Sequence, residues 1–392
     1  MKVLHVIPSL SENLDGPANA IGKMCKGLVV EGVDITIYTT DLHPINYDSL
    51  KGLEVRVFKT FKKSNYCFSA GLWLTLKKNI SQYDIVHIHA LWVFPSTIAA
   101  YLSRKKKVPY IIRTCGMLDY YSVTHDKWKH FKKRLYFNIF ERHNLNLASA
   151  IHFTSLEEQK RTEHLNIKSS SLILPVGVEI GEFIDLPAKG CFRARYPFLK
   201  DKKIILFLGR IHYKKGLEIL LDAYKRISDR TDKAHLVIAG PDNDGYEEHL
   251  KKKVSKLELN DKVLFTGLVK GKQKIEAFTD ADVFCLPSFQ ENFGIAVVEA
   301  MAAQLPVVIS DQVNIHAEIS DAKAGFVTPC DPEEVADAIM QIISNDTLKG
   351  KMGLNARQLV FNKFSWDRIA KKMTENYQRI IQEYKSDESP VN

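Results

Sequence analysis

The chain has 392 residues, 45% of them hydrophobic and 26% charged, with a formal net charge of +9. That length exceeds what one core ordinarily holds and the composition is that of a folded globular protein, so two domains are expected and intrinsic disorder is excluded. No apolar run approaches the ~20 residues of a membrane span, Met1-Lys2-Val3 enters a strand in place of a signal peptide, and the six cysteines (25, 67, 115, 191, 285 and 330) lack paired CxxC spacing. The expectation is a cytoplasmic protein with reduced thiols, any membrane contact being peripheral, on the inner face.

The first half alternates strands and helices: strand 3–7, helix 17–31, strands 34–39 and 54–58, helix 69–79, strand 85–89, helix 95–103, strand 110–113, then strands 151–155 and 172–175. This is the rhythm of a parallel sheet with crossover helices. A loop, Asp15-Gly16-Pro17, follows the first strand. His87 and His89 share one face of their strand; packing suits one of them and a pocket-facing position suits His89. Strand 110–113 runs into Arg113-Thr114-Cys115-Gly116, where two readings of Arg113 stand open: a fork for ligand hydroxyls, or a partner for a surface carboxylate.

Gly177, Gly181, Pro187, Gly190 and Pro197 punctuate a non-periodic stretch, 177–201, which suggests domains at 1–190 and 191–365 with a final helical piece at 366–392. Beyond it strands are expected at 204–209, 235–239, 263–266, 283–286, 306–309 and 325–327, with helices at 217–227, 294–303, from 332, from 348 and at 366–384. The fold class is therefore α/β, two Rossmann-like parallel-sheet domains.

Two loops at strand ends carry the chemistry. Gly209-Arg210-Ile-His-Tyr-Lys214-Lys215-Gly216 follows a buried strand and precedes a helix, at the carboxyl edge where α/β sheets bind ligands. Arg210 offers a fork and Lys215 a compact charge for a diphosphate. The second loop, Glu291-Asn292-Phe293-Gly294-Ile295, opens an apolar helix whose free amides and dipole favour an anion, and Glu299 lies about two turns further on. Carboxylates beside a phosphate site suit hydroxyl pairs, as on a sugar and a ribose. The plainer alternative is that Glu291 caps the helix and Glu299 is a solvated face residue.

Gly209-Arg210…Lys215-Gly216, Phe265-Thr-Gly267-Leu-Val269, Ala281-Asp-Val-Phe-Cys-Leu-Pro287-Ser288 and Glu291-x7-Glu299 together resemble glycosyltransferase family four, over roughly residues 204–328. The opening Lys2-Val-Leu-His-Val-Ile-Pro8, the 84–89 strand and Arg113-Thr-Cys-Gly116-Met-Leu resemble the acceptor domain of that family more loosely. The resemblance implies the GT-B fold, two Rossmann-like domains facing across a cleft with the last helix crossing back to the first, and a retaining transferase using a nucleotide sugar, a UDP-hexose by the commonest relatives. It implies Arg210, Lys215 and the 293–295 amides on the leaving diphosphate, Glu291 with Asn292 at the donor sugar and Glu299 on the ribose. Gly209 and Gly240 line the donor site, the Gly267 to Val269 backbone flanks the base, and Gly16 lets the first domain approach the diphosphate. Glu291, Arg210 and Lys215 are the expected catalytic residues; His89, Arg113, Cys115 and Gly116 are acceptor-side. Asp15 stands where relatives often have a first glycine, and Cys115 where many have a His, so no His role passes to Cys115.

Residues 1–190 hold 25 Lys plus Arg against 17 Asp plus Glu, while the rest is nearly balanced at 30 against 29. Lys59, Lys62-Lys63, the 104–107 run and the 127–134 run, which mixes Trp128, Phe131 and cations, are the densest pieces; the last is either a solvated basic face or a surface for anionic lipid and a lipid-linked saccharide acceptor. Nucleic-acid binding is disfavoured, since the cations are dispersed and carboxylates sit beside the phosphate motif. A nucleotide-sugar epimerase keeps the fold and changes the chemistry. Asp242-Asn-Asp244 and Asp280-Ala-Asp282 read as turn and strand-flanking residues, so no cofactor and no metal is expected where Arg210 and Lys215 supply the charge.

Overall fold

The structure, a computed structural model, describes residues 1–10, 17–45, 47, 50–62, 64–118 and 134–388. Gly16, Lys63 and the 127–133 stretch of the basic run lie outside the described residues. In chain order the elements are β1 (Lys2–Val6), α1 (Pro17–Val30), β2 (Asp34–Thr40), β3 (Glu54–Phe58), α2 (Ala70–Asn79), β4 (Ile85–His89), α3 (Phe94–Lys105), β5 (Tyr110–Arg113), α4 (Arg142–Asn146), β6 (Ala150–Phe153), α5 (Leu156–Thr162) and β7 (Ser171–Ile173). Then come β8 (Lys203–Leu208), α6 (Leu217–Arg230), β9 (Ala234–Ala239), α7 (Tyr246–Lys256), β10 (Val263–Gly267), α8 (Lys272–Asp280), β11 (Val283–Leu286), α9 (Ile295–Ala302), β12 (Val307–Ser310), α10 (His316–Ala322), β13 (Gly325–Thr328), α11 (Pro332–Ile343), α12 (Asp346–Lys363) and α13 (Trp366–Glu388).

The chain divides into two compact units, Met1–Gly177 with Trp366–Asn392, and Val178–Ser365. The division at 177/178 precedes the sequence-based one at 190/191. Val178 N–H donates to Phe364 O at 2.8 Å, and the amides of Gly190, Phe192 and Arg193 converge on the Asp280 carboxylate at 2.5 to 3.0 Å. The Pro- and Gly-rich stretch is thus hydrogen-bonded into the second unit, a set of long-range contacts that composition does not announce. The strand expected to reach Ser155 ends at Phe153 because the Ser155 hydroxyl caps α5, accepting from Glu158 N–H at 3.1 Å.

The first unit is a seven-stranded parallel sheet, β3-β2-β1-β4-β5-β6-β7. One face is apolar: Leu4, Val6, Val86, Ile88, Tyr110, Ile112 and Phe153 pack with Leu72, Leu76, Ala99 and Leu102 of α2 and α3. The other face is polar and equally buried. Parallel register places His5 opposite His87, His89 opposite Arg113, and Arg113 opposite His152, so period-two alternation gathers all five on one side. Helix α13 covers that side and packs along α1, so the last helix belongs to the first unit, and its buried Tyr377 meets His87.

The second unit is a six-stranded parallel sheet, β10-β9-β8-β11-β12-β13. Its central strands, Lys203–Leu208, Ala234–Ala239, Val283–Leu286 and Val307–Ser310, are near-continuous apolar runs, as strands covered on both faces require. In each sheet the strand order reverses at one place, between β1 and β4 and between β8 and β11. The loops leaving those strands flank the crevice where doubly wound sheets take ligands.

Candidate active site

At the second reversal the β8 and β11 loops are stitched together before any side chain chemistry begins. Lys214 O accepts from the Phe289 amide and from the Ser288 hydroxyl, both at 2.8 Å, and the Lys214 ammonium donates to Gln290 Oε1 at 3.0 Å. Gly216, at φ +67°, ends the short 213–215 turn and lies so close to the β11 loop that a Cβ there would sit 1.9 Å from Pro287 O. Only glycine allows both the left-handed backbone and that approach. Gly240 does the same on the neighbouring strand: its added Cβ would meet Gly209 O at 1.8 Å, which lets the β8 and β9 ends close against each other.

This seam brings Lys215 and Glu291 into direct ion-pair contact through Nζ and Oε2, both side chains largely buried. Burial pushes the Glu291 carboxyl up, but the Lys215 charge and hydrogen bond and the Phe293 and Gly294 amides outweigh it, and the net shift is downward. Glu291 therefore holds the Phe293 and Gly294 amides of the turn before α9 and pairs with the cation, while the helix itself has no side-chain cap at Gly294. Its backbone is fixed as well, the amide donating to Gln312 O at 3.1 Å and the carbonyl accepting from Asn314 N–H at 3.0 Å. Asn314 donates to Asn292 Oδ1 at 3.3 Å while its own buried Oδ1 has no partner. The Phe293 side chain is buried against Phe364 in an edge-on contact, leaving its backbone amide as its contribution to the loop.

Glu299, four residues into α9 from Ile295, is held by Lys274 of α8 at 2.6 Å, with each side chain under a fifth exposed. The solvated-face alternative for Glu299 is thereby replaced by a buried pair, and Lys274 is a cation that the motif spacing missed. A lysine one helix upstream carries no local signal; only the fold sets α8 beside α9. Arg210 is exposed on the loop after β8, which is anchored by Gly209 N–H to Ala239 O and Ile211 N–H to Pro241 O, both 2.9 Å. Burial lowers the His212 pKa and the Arg210 charge adds to it, so His212 is neutral near pH 7; its ring nitrogen accepts from Lys214 N–H at 3.2 Å. Beyond β10, Gly267 O accepts from Gly240 N–H at 2.8 Å and Val269 is buried, with Leu268 half-exposed between them. The acidic triplets serve the backbone: Asp242 accepts from the Tyr246 and Glu247 amides, and Asp282 from the Ile204 amide and Lys349.

At the first reversal the chemistry differs. His89 is as buried as His87, so burial does not separate the two; hydrogen bonding does, since both His87 nitrogens have partners and His89 Nδ1 has none. A chain of hydrogen bonds fixes two tautomers. His152 Nε2 lies 2.9 Å from Leu174 O, an acceptor only, so that nitrogen carries the proton and Nδ1 accepts from His87 Nε2 at 3.3 Å. His87 Nδ1 then accepts from the Tyr377 hydroxyl at 2.6 Å. Burial, with neighbouring cationic groups, lowers the pKa of all four histidines, to about 3 for His5 and His152.

Among the described residues His5, His87 and His89 form the one cluster with metal-ligand spacing, their donor atoms within 4.8 Å of one another. The fit is poor, because both His87 nitrogens are spent in the chain above and the permanently charged Arg113 lies on the same face. Arg113 itself is 3% exposed, and among the described residues its Nε and Nη1 have no hydrogen-bond partner and no carboxylate forms an ion pair with it, which leaves the surface-carboxylate reading without support there. Glu158 of α5 is occupied by the Thr114 hydroxyl, the Gly116 amide and Thr154 at 2.6 to 2.8 Å. Cys115, at φ +51° and half-buried, is a thiol that burial pushes up in pKa.

Residues 191–359 match the family model described as glycosyl transferases group 1, and residues 15–177 that of a glycosyl transferase 4-like domain. An uncharacterized glycosyltransferase of Methanocaldococcus jannaschii is 28% identical over 92% of this chain and 93% of its own length. Phosphatidyl-myo-inositol mannosyltransferase of Mycobacterium leprae is 32% identical over 215 residues, and the match spans about half of it, 54%. Among solved structures, sucrose-phosphate synthase from Thermosynechococcus elongatus superposes with a TM-score of 0.78 at 20% identity, covering 97% of this chain and 99% of that one. Anabaena HepE, solved in complex with UDP and glucose, gives 0.77 at 17% identity over 97% and 100%. These likenesses establish the GT-B fold.

Proposed function

This chain belongs to the group 1 glycosyltransferases of family four, and on that premise we propose that it moves a hexose from a nucleotide diphosphate sugar, with uridine as the base, to a glycan or lipid-linked saccharide in polysaccharide biosynthesis, retaining the anomeric configuration. The observation that carries the reading is the buried Lys215–Glu291 pair beside the α9 amides at the β8/β11 reversal. Cleavage of the anomeric C–O bond leaves negative charge on the β-phosphate and positive charge on the sugar ring. Lys215, Arg210 and the 293–295 amides receive the first, and Glu291 accepts hydrogen bonds from the sugar hydroxyls. Lys274 holds Glu299 in place for the ribose hydroxyls, and the Gly240 and Gly267 to Val269 backbone flanks the base.

UDP-, GDP- and ADP-hexoses should be compared by thermal shift and donor hydrolysis for wild type, Lys215→Ala and Glu291→Ala. A UDP-hexose shift that weakens in both variants supports the reading; equal shifts in all three proteins would remove the site. Product NMR reads the anomeric outcome. Activity that is unchanged by EDTA fits transfer driven by side-chain cations, and loss restored by magnesium refutes it.

Among the described residues no helix is long and apolar enough to cross a membrane. Peripheral docking on anionic lipid belongs to the proposal: Arg134, Leu135, Ile139 and Phe140 are exposed together on residues 134–140 of the first unit. Vesicle co-sedimentation that falls when Lys132, Lys133 and Arg134 become Ser supports it, and undiminished binding removes it.

A further inference from the structure

The polar face of the first sheet ends in a cation that forms no ion pair among the described residues. Arg113 closes β5 at the carboxyl edge, one strand from the β1/β4 reversal, and its guanidinium is permanently protonated. Burying an unpaired cation is unfavourable, so its persistence needs a reason. Its cross-strand neighbours, His89 and His152, are neutral. His5 Nδ1 and His89 Nε2 share one proton across 2.9 Å, which leaves His5 Nε2 and His89 Nδ1 without partners, one a bare nitrogen and the other an N–H donor. Four buried nitrogens on two side-chain types thus stand unsatisfied together, and three of them donate. The loop beyond Arg113 is tied to Glu158, and its Cys115, Gly116 and Met117 are part-exposed, so the strand end lies beneath a thin cover.

We infer that Arg113, with His5 and His89, forms a binding site for an oxyanion, and, resting on the glycosyltransferase reading above, that the acceptor saccharide carries a phosphate or carboxylate group. A planar fork of donors matches the two oxygens of either group, and the imidazole N–H adds a third bond without adding a second cation. Glu158, with four hydrogen bonds of its own, keeps the 114–116 loop in place and does not compete.

The test is thermal unfolding followed by tryptophan fluorescence, since Trp73, Trp92, Trp128 and Trp366 all fall within the first unit. The probes are inorganic phosphate, glucose 6-phosphate and glucuronate, with glucose as the neutral control, each in the presence of saturating UDP. Wild type should be stabilised by at least one anion and not by glucose; glucose 6-phosphate against glucuronate decides between phosphate and carboxylate. Arg113→Met should lose that response, keep its response to UDP, and melt no lower than wild type in anion-free buffer, because it deletes an unpaired buried charge. Arg113→Lys should bind at least tenfold more weakly. Lys215→Ala should keep the anion response in the tryptophan signal and lose UDP binding measured by titration calorimetry, so failure of the donor site and failure of this site are read separately. An Arg113→Met protein that responds like wild type, a melting point well below wild type without anion, or no anion shift in wild type overturns the proposal. Should Arg113→Met fail to fold, imidazole NMR of wild type decides: phosphate must move the His5 and His89 signals and leave that of His249, an exposed residue of α7 in the second unit paired with Glu218, and unmoved His5 and His89 signals reject the site.

Discussion

The two strand-order reversals use opposite electrostatic arrangements on the same scaffold. At β8/β11 the part-buried charges of the candidate site answer one another: Lys215 with Glu291, Lys274 with Glu299. At β1/β4 the buried groups are a cation and four neutral imidazoles, with hydrogen-bonding capacity left over. A site whose charges are already paired binds by exchanging partners, so it discriminates by geometry and tolerates the empty state. A site left unpaired is destabilised when empty and gains most from a ligand of the right sign.

The largest expected effect is at the paired site. Lys215→Ala removes a stabiliser of the leaving group and strands Glu291, and should lower kcat by about 100-fold or more, the scale of losing one preorganised donor; steady-state rates with a UDP-hexose check it. A double-mutant cycle with Glu291→Ala sharpens the comparison, since a coupled pair should show an interaction energy of roughly 0.5–3 kcal/mol and independent side chains none. Gly216→Ala should destabilise the second unit by at least about 1–3 kcal/mol, from the positive φ alone, before the clash with Pro287 O is added; denaturant unfolding measures it.

Acid should weigh more on the first unit, with four buried histidines of lowered pKa, than on the second, where among the described residues His235 alone is buried and lowered, to about 4. The histidines have folded pKa values below the ordinary value of about 6.5, to about 3 for His5 and His152, so the unfolded chain binds more protons below that pH and the first unit should lose stability as pH falls from there toward 3. Glu291 is depressed from its ordinary carboxyl value, so its contribution is complete above about pH 4.3 and drains only as pH falls below that. Tryptophan fluorescence should therefore report acid loosening before total far-UV dichroism does, and coincident transitions would break the distinction. The smallest effect is expected at Glu299→Gln, which keeps the shape and weakens the charge-assisted bonds to a ribose by ~1 kcal/mol, read as a five- to tenfold rise in donor KM with kcat little changed.

Much of the fold was legible because its signals are local. Near-continuous apolar runs marked the central strands, glycines and loop lengths marked their ends, and the strand-then-loop-then-helix order around Gly209 to Gly216 and Glu291 to Ile295 placed both halves of the candidate site. The helices α4, α5, α7, α8 and α10 lay between recognised strands without being read, and with α8 went Lys274. The domain limit was displaced because residues 178–190 are held by hydrogen bonds to Asp280 and Phe364, far away in sequence.

By itself the sequence determined the class of the fold, the positions of the ligand-bearing loops and the residue types offered there, since backbone turn chemistry and hydrophobic period depend on neighbours within a few residues. Only the tertiary structure decided the partners. Parallel register gathered His5, His87, His89, Arg113 and His152 from four strands onto one face, and the close approach at Gly216 joined Lys215 to Glu291, because such contacts are set by strand pairing and packing between segments tens of residues apart.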